Sequence, residues 1–191
     1  MKKILFIHGL ASSGAYKMAD TLRILLKPCS VIAPDVPIDP AEAMELLEAI
    51  CRDEDPDIIV GLSLGGFFAQ KLRGRRKVLV NPDFHPSIFL STMKGENKYL
   101  SPRKDGALTF TIDETIIEGY KLLESKQFDG LDDEEGKLTA GMFAKDDELV
   151  RCGDEFETFY PGMRHDFPGG HLPGFPVVKE HIAPVIREMM G

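Results

Sequence analysis

The chain has 191 residues, enough for one domain (1–191) with a full apolar core. Its 23 basic and 31 acidic residues leave a net charge of −8, which argues against nucleic acid or an anionic membrane as a partner. The three cysteines, Cys29, Cys51 and Cys152, are widely spaced and form no Cys-x-x-Cys. They point to neither a disulfide framework nor a zinc site, and a reducing cytoplasm suits them.

Met1-Lys2-Lys3 followed by Ile4 to Ile7 has the outline of a signal peptide. The apolar run stops at His8-Gly9 after four residues, short of the roughly 7–15 that a signal core needs. Residues 3–7 are therefore read as a first strand, covered on both faces. A Gly- and Ser-containing loop spans 8–14, and residues 15–26 repeat Met18, Leu22, Leu25 and Leu26 at helical spacing until Pro28. Val31 to Ala33 is a second strand. Pro40 opens a helix with Met44, Leu47 and Ile50 on one face. Asp57 to Val60 is a third strand, and it runs into Gly61-Leu62-Ser63-Leu64-Gly65.

That Gly-x-Ser-x-Gly puts a serine on a tight strand-to-helix corner with its hydroxyl exposed. The helix that follows, Leu64 to about Arg73, aims its free N–H groups at the serine, which suits an oxyanion forming there. Lys77 to Val80 is a fourth strand ending at Asn81-Pro82.

The alternation breaks between about 84 and 137. The densest acidic run, Asp129 to Glu135, reads as a solvated loop. Thr111 to Lys126 is the clear helix there, with Ile112, Ile116, Tyr120 and Leu123 spaced for one face. A long insertion between strands of a compact domain is usually functional, so it is read as a cap over the active-site edge rather than a surface extension packed on the sheet. Leu138 to Ala144 is a fifth strand. Residues 150–160 form a short helix with Phe156, Phe159 and Tyr160 inward. Met163 to Phe167 is a sixth strand, and a last helix runs from about Val177 to Met190 with Pro184 placed to kink it. The predicted fold is α/β: a three-layer α/β/α arrangement around a mostly parallel six-stranded sheet.

A serine hydroxyl needs a base in reach and a group to orient that base. In this architecture the order along the chain is nucleophile, acid, histidine. His8 precedes the serine and is better suited to shaping the loop at the end of the first strand. His85 lacks the right order relative to an acid, and His181 lies in the last helix. His165 falls inside the sixth strand, whereas His171 falls in the glycine-rich turn past its carboxyl end and is preferred as base. Asp146 and Asp147 both follow the fifth strand. Asp147 is preferred because Val150 of its Asp-x-x-Val can start the next helix and pin the loop.

Together these parts resemble an α/β-hydrolase and, more narrowly, the small bacterial YqiA-like esterases. The resemblance rests on Phe6-Ile7-His8-Gly9-Leu10-Ala11-Ser12-Ser13, Ser63-Leu64-Gly65-Gly66-Phe67, Leu79-Val80-Asn81-Pro82, Asp147-x-x-Val150 and Gly169-Gly170-His171. It runs through most of the chain and is weak across about 84–137. It implies a Ser63/Asp147/His171 triad, with the backbone amides of Leu10 and Leu64 as oxyanion hole. The family's histidine usually sits in Gly-Gly-x-His; here it follows Gly170 directly, which keeps His165 as an alternative.

The expectation is a cytoplasmic serine hydrolase acting on a small-molecule carboxylic ester, with thioesters as a close variant. No cofactor and no metal is expected. The rival reading is a catalytically inactive binding protein on the same fold. A lactonase or peptidase using the same triad is a rival within enzymes. The lack of a Gly-x-Gly-x-x-Gly ranks a flavodoxin-like phosphate binder last. The acyl and alcohol groups and the oligomeric state stay open at this point.

Overall fold

In a computed structural model describing residues 1–191, the aliphatic runs form two adjacent interior strands of a parallel sheet, β1 (Lys3–Ile7) and β3 (Ile58–Leu62). Both are buried on each face, which is why they read as continuous apolar stretches rather than alternating ones. The sheet has the order β2-β1-β3-β4-β7-β8, with β2 (Ser30–Ile32), β4 (Lys77–Val80), β7 (Thr139–Ala144) and β8 (Arg164–Phe167). Every neighbouring pair in it is parallel. The register sets Ile7 beside Gly61 and Leu62 beside Val80, so the loops after β1, β3 and β4 leave from one edge.

Helices cover both faces. One face carries α1 (Lys17–Leu25) and the C-terminal helix, packed on Ile4, Phe6, Val60 and Val78. The other carries α2 (Pro40–Glu54), α3 (Leu64–Lys71) and further helices described below, packed on Leu5, Ile7, Ile59 and Leu79. Pro40 starts α2 as expected, and the carboxylate of Asp39 caps it by accepting from Ala41 and Glu42 N–H at 2.9 and 3.0 Å.

The insertion after β4 departs from the sequence reading in three places. Thr109–Ile112 is a strand, β6, paired antiparallel with β5 (Gly95–Lys98) after a short helix α4 (Pro86–Ser91). The predicted helix therefore begins later, as α5 (Glu114–Glu124). Asp113 caps it through Ile116 N–H at 3.0 Å. Phe110 and Ile112 alternate with exposed threonines, a period of two that merges into the helical period after the cap. The acidic run is not simply a solvated loop: Asp133–Lys137 is helix α6, and Glu135 within it is buried against Lys77.

The insertion is divided between two jobs. Helix α4 and the 99–108 loop of the hairpin lie at the edge where β1 and β3 end; Leu100 N–H donates to Ala11 O at 2.7 Å there. Helix α5 instead fills the layer beside α2 and α3, with Tyr120 fully buried between Phe67 and Phe68.

Helix α7 (Gly153–Phe159) crosses from β7 to β8. Phe156 and Tyr160 are buried as read, but Phe159 turns outward and stacks on Phe128 at 3.6 Å between ring centres. The last helix is irregular just before Pro184. It widens to a π-helical turn over Val178–Ile182, between α8 (Phe175–Val177) and α9 (Ala183–Met190). A proline at that point can neither donate to the preceding turn nor tolerate its carbonyl, and one wider turn accommodates both constraints. No helix is long and apolar enough to cross a membrane.

Candidate active site

Ser63 sits between β3 and α3 with φ 55° and ψ −118°, a conformation costing on the order of 1–3 kcal/mol for a residue with a side chain. The flanking glycines make the corner possible. A Cβ on Gly61 would lie 2.3 Å from Gly65 O, and one on Gly65 would lie 2.1 Å from Ile7 O. The strain is held by Ser63 N–H donating to Val80 O at 2.9 Å and by Ser63 O accepting from the Gly66 and Asp83 amides.

Three strand ends bring three side chains into line. His171 Nε2 lies 2.9 Å from Ser63 Oγ, and its Nδ1 lies 2.7 Å from Asp147 Oδ2. The carboxylate accepts at Nδ1, so Nδ1 carries the proton and Nε2 is left to accept from the serine hydroxyl. Asp147 is 3 % exposed, and its Oδ1 accepts from Leu149 and Val150 N–H at 2.8 and 2.9 Å. The Val150 amide, not a helix start, is thus what the Asp-x-x-Val spacing provides; α7 begins only at Gly153. Arg151 Nε donates to Asp147 O at 3.1 Å and ties the same turn.

The alternatives lie elsewhere. His165 is inside β8 opposite Met142 and makes no bond to Ser63 or Asp147. Asp146 and Gly169 bracket each other through backbone and carboxylate, so Asp146 braces the loop that carries His171. His85 Nε2 lies 2.8 Å from Glu155 Oε2. No three His, Cys, Asp or Glu side chains converge in a manner suited to a metal ion.

Leu10 and Leu64 both border the cavity at Ser63. The Leu64 amide is in the first turn of α3, where helix geometry leaves N–H groups without an internal partner. The Leu10 loop is shaped by His8, which is buried. His8 Nδ1–H donates to Gly9 O at 2.8 Å and its Nε2 accepts from Val36 N–H at 3.0 Å. Burial, helped by the positive charge of Arg103, lowers the His8 pKa from 6.5 to about 4. Between these values the unfolded chain binds a proton that the folded ring refuses, so folding stability falls as pH drops through that window, by up to about 3 kcal/mol. Urea unfolding at pH 7 and pH 5 is expected to show this loss in the wild type and a smaller one in His8→Gln. Identical pH dependences would contradict the assignment.

Sequence reading missed one organising residue. Asn81, at the end of β4 with φ 44°, bonds three strand ends. Its Oδ1 accepts from Ala144 N–H at 2.7 Å, its Nδ2 donates to His171 O at 2.8 Å, and its N–H donates to Met142 O at 2.8 Å. The Asn-Pro pair after a strand was the available signal, since asparagine tolerates a positive φ.

The cavity at Ser63 is about 410 Å³ and mainly apolar, walled by Leu10, Leu64, Leu90 and Val150. Ile88 and Phe89 of α4 stand exposed at its mouth.

A doubly covered parallel sheet with a serine corner after its third strand defines an α/β-hydrolase fold. Solved structures agree. A metagenome-derived lipolytic enzyme of the LipS and LipT pair matches with a TM-score of 0.67 at 13% identity, over 98% of this chain and 92% of that one. The esterase domain of a Rhodothermus marinus protein matches at 0.66 and 19% identity, over 100% and 88%. FphF of Staphylococcus aureus, a fluorophosphonate-binding serine hydrolase, matches at 0.60 and 19%, over 100% and 84%. At these identities the likeness establishes the fold. The model of the Uncharacterised protein family (UPF0227) matches residues 3–164, and the chain belongs to that family, the YqiA-like group it resembles in sequence.

Proposed function

We propose that this protein is a serine hydrolase that cleaves carboxylic esters through an acyl-enzyme. The observation that carries the reading is the unbroken hydrogen-bonded chain from Ser63 Oγ through His171 to Asp147. As Ser63 Oγ attacks the acyl carbon, His171 Nε2 takes its proton, and Asp147 holds the ring and stabilises the imidazolium. The oxyanion of the tetrahedral intermediate is held by the Leu10 and Leu64 amides, each donor worth on the order of 10²–10³ in rate. His171 returns the proton to the leaving alcohol. Water then repeats the sequence on the acyl-serine, restoring the serine and releasing the acid.

The mainly apolar cavity suits an acyl chain of largely hydrocarbon surface, and a thioester of the same acyl group would meet the same machinery. Fold neighbours described as esterases, lipolytic enzymes and serine hydrolases support the class. In a para-nitrophenyl acetate assay, the wild type is expected to turn over and Ser63→Ala to fall to the background rate. Equal activity in the two would overturn the proposal.

A further inference from the structure

The mechanism leaves two charged groups of the cavity unused, the exposed Arg151 and the mostly buried Asp83. Asp83, two residues past Asn81, belongs to the wall shared with Ser63, His171, Leu90 and Cys152. Its Oδ1 accepts from His85 N–H at 3.0 Å, closing the turn into α4. Its Oδ2 is bonded by no protein donor, and no lysine, arginine or histidine pairs with it. The His85 ring is on Glu155 and the His171 ring on Ser63 and Asp147, while Arg151 bonds Asp147 O through Nε and makes no ion pair with Asp83. The neighbouring Glu124 adds a like charge, and its oxygens are taken by Ser87 N–H and Oγ. Burial pushes the Asp83 carboxyl up, against the pull of the His85 amide.

Asp83 Oδ2 is not sealed from solvent, so it stays hydrated until a ligand enters the cavity. The turn does not require the charge, because an asparagine oxygen would accept from His85 N–H equally well. Nothing in the fold uses Oδ2, whereas a ligand in the cavity meets it. A mainly apolar slot with a carboxylate acceptor in its wall discriminates strongly, because a substrate that lacks the matching donor leaves the acceptor desolvated and unpaired.

We propose that Asp83 sets substrate choice: the ester arm that fills the apolar slot carries a hydrogen-bond donor, a hydroxyl or a protonated amine, which Asp83 Oδ2 accepts. This rests on the ester-hydrolase reading of Ser63.

Two matched ester series test it. In one the acyl arm is varied: para-nitrophenyl hexanoate, its ω-hydroxy form and its ω-amino form. In the other the same three groups end the alcohol arm of an acetate ester. The wild type is expected to favour a donor-bearing ester over the plain one in one series, by about 10- to 100-fold in kcat/KM. Asp83→Ala is expected to reverse this order, slowing the donor-bearing ester and speeding the plain one. Asp83→Asn keeps its oxygen on His85 N–H and turns its NH2 into the slot; that group can donate to a hydroxyl but repels a protonated amine, so the hydroxyl preference is retained and the amine preference lost. If the selected donor is the amine, Asp83→Asn therefore abolishes the preference, and if it is the hydroxyl, only Asp83→Ala does. Turnover by the wild type without preference in either series overturns the assignment of Asp83 alone, as does a wild-type preference ratio surviving in Asp83→Ala. Absence of turnover on every ester overturns the ester-hydrolase reading, and this inference with it.

Discussion

Asp147→Asn is expected to lower kcat for ester hydrolysis on the order of 10⁴-fold with the fold intact. The size of the effect follows from the two ends of the side chain. Oδ1 is fixed by the Leu149 and Val150 amides, both donors, so an asparagine must keep its oxygen there. Its NH2 then faces His171 Nδ1, at the position now 2.7 Å away. A donor at that point forces Nδ1 to accept and moves the ring proton to Nε2. The imidazole then presents N–H to Ser63 and cannot take the hydroxyl proton. Asp146→Asn is expected to change kcat by no more than a few-fold, because Asp146 meets Gly169 and not the ring. Steady-state rates of the two variants decide between the adjacent carboxylates; a large loss in Asp146→Asn with little in Asp147→Asn would reverse the assignment.

Glu135→Ala is expected to destabilise the fold by about 3–5 kcal/mol although it lies remote from the site. Lys77 is fully buried at the start of β4, with its ammonium on Leu72 O at 2.8 Å and on Glu135 Oε1. The other Glu135 oxygen accepts from Gly74 N–H at 2.7 Å. Removing the carboxylate strands an ammonium in the interior and orphans an amide. Burial already lowers the Lys77 pKa, and the bond to Glu135 is what opposes this. Replacing both partners, Lys77→Met with Glu135→Leu, is expected to recover part of the loss because no charge is left unpaired. Urea unfolding of the single and double variants reads the difference. A single variant within about 1 kcal/mol of wild type would show the pair to be hydrated instead.

These two clusters also show what a sequence can and cannot display. The buried strands are visible because β1 and β3 lie between helices on both faces, so Ile4 to Ile7 and Ile58 to Val60 are apolar without interruption. Topology then does the rest: parallel strands bring their carboxyl ends to one edge, and Ser63, Asp147 and His171 occupy three such ends. Between Asp146 and Asp147 the pattern offered only a hint, because the decision depends on which carboxylate the Leu149 and Val150 amides catch. The hairpin of β5 and β6 was hidden for a different reason. Gly95 to Lys98 is mostly exposed and polar, so its pairing partner and not its own composition makes it a strand. The Lys77–Glu135 pair joins residues far apart in sequence, and each reads as an ordinary surface charge until the chain is folded. Asn81 is similar, since its three bonds span β4, β7 and the His171 loop.

Covalent labelling with a fluorophosphonate probe, followed by peptide mass spectrometry, is the most direct test of an activated serine at this corner. A serine made nucleophilic by a bonded histidine reacts with the phosphorus centre; an ordinary serine does not. The wild type is expected to carry one adduct, on Ser63. His171→Ala is expected to label far more slowly and Ser63→Ala not at all. A wild-type chain that takes up no probe, or one labelled equally after Ser63→Ala, would contradict the assignment of Ser63 as nucleophile.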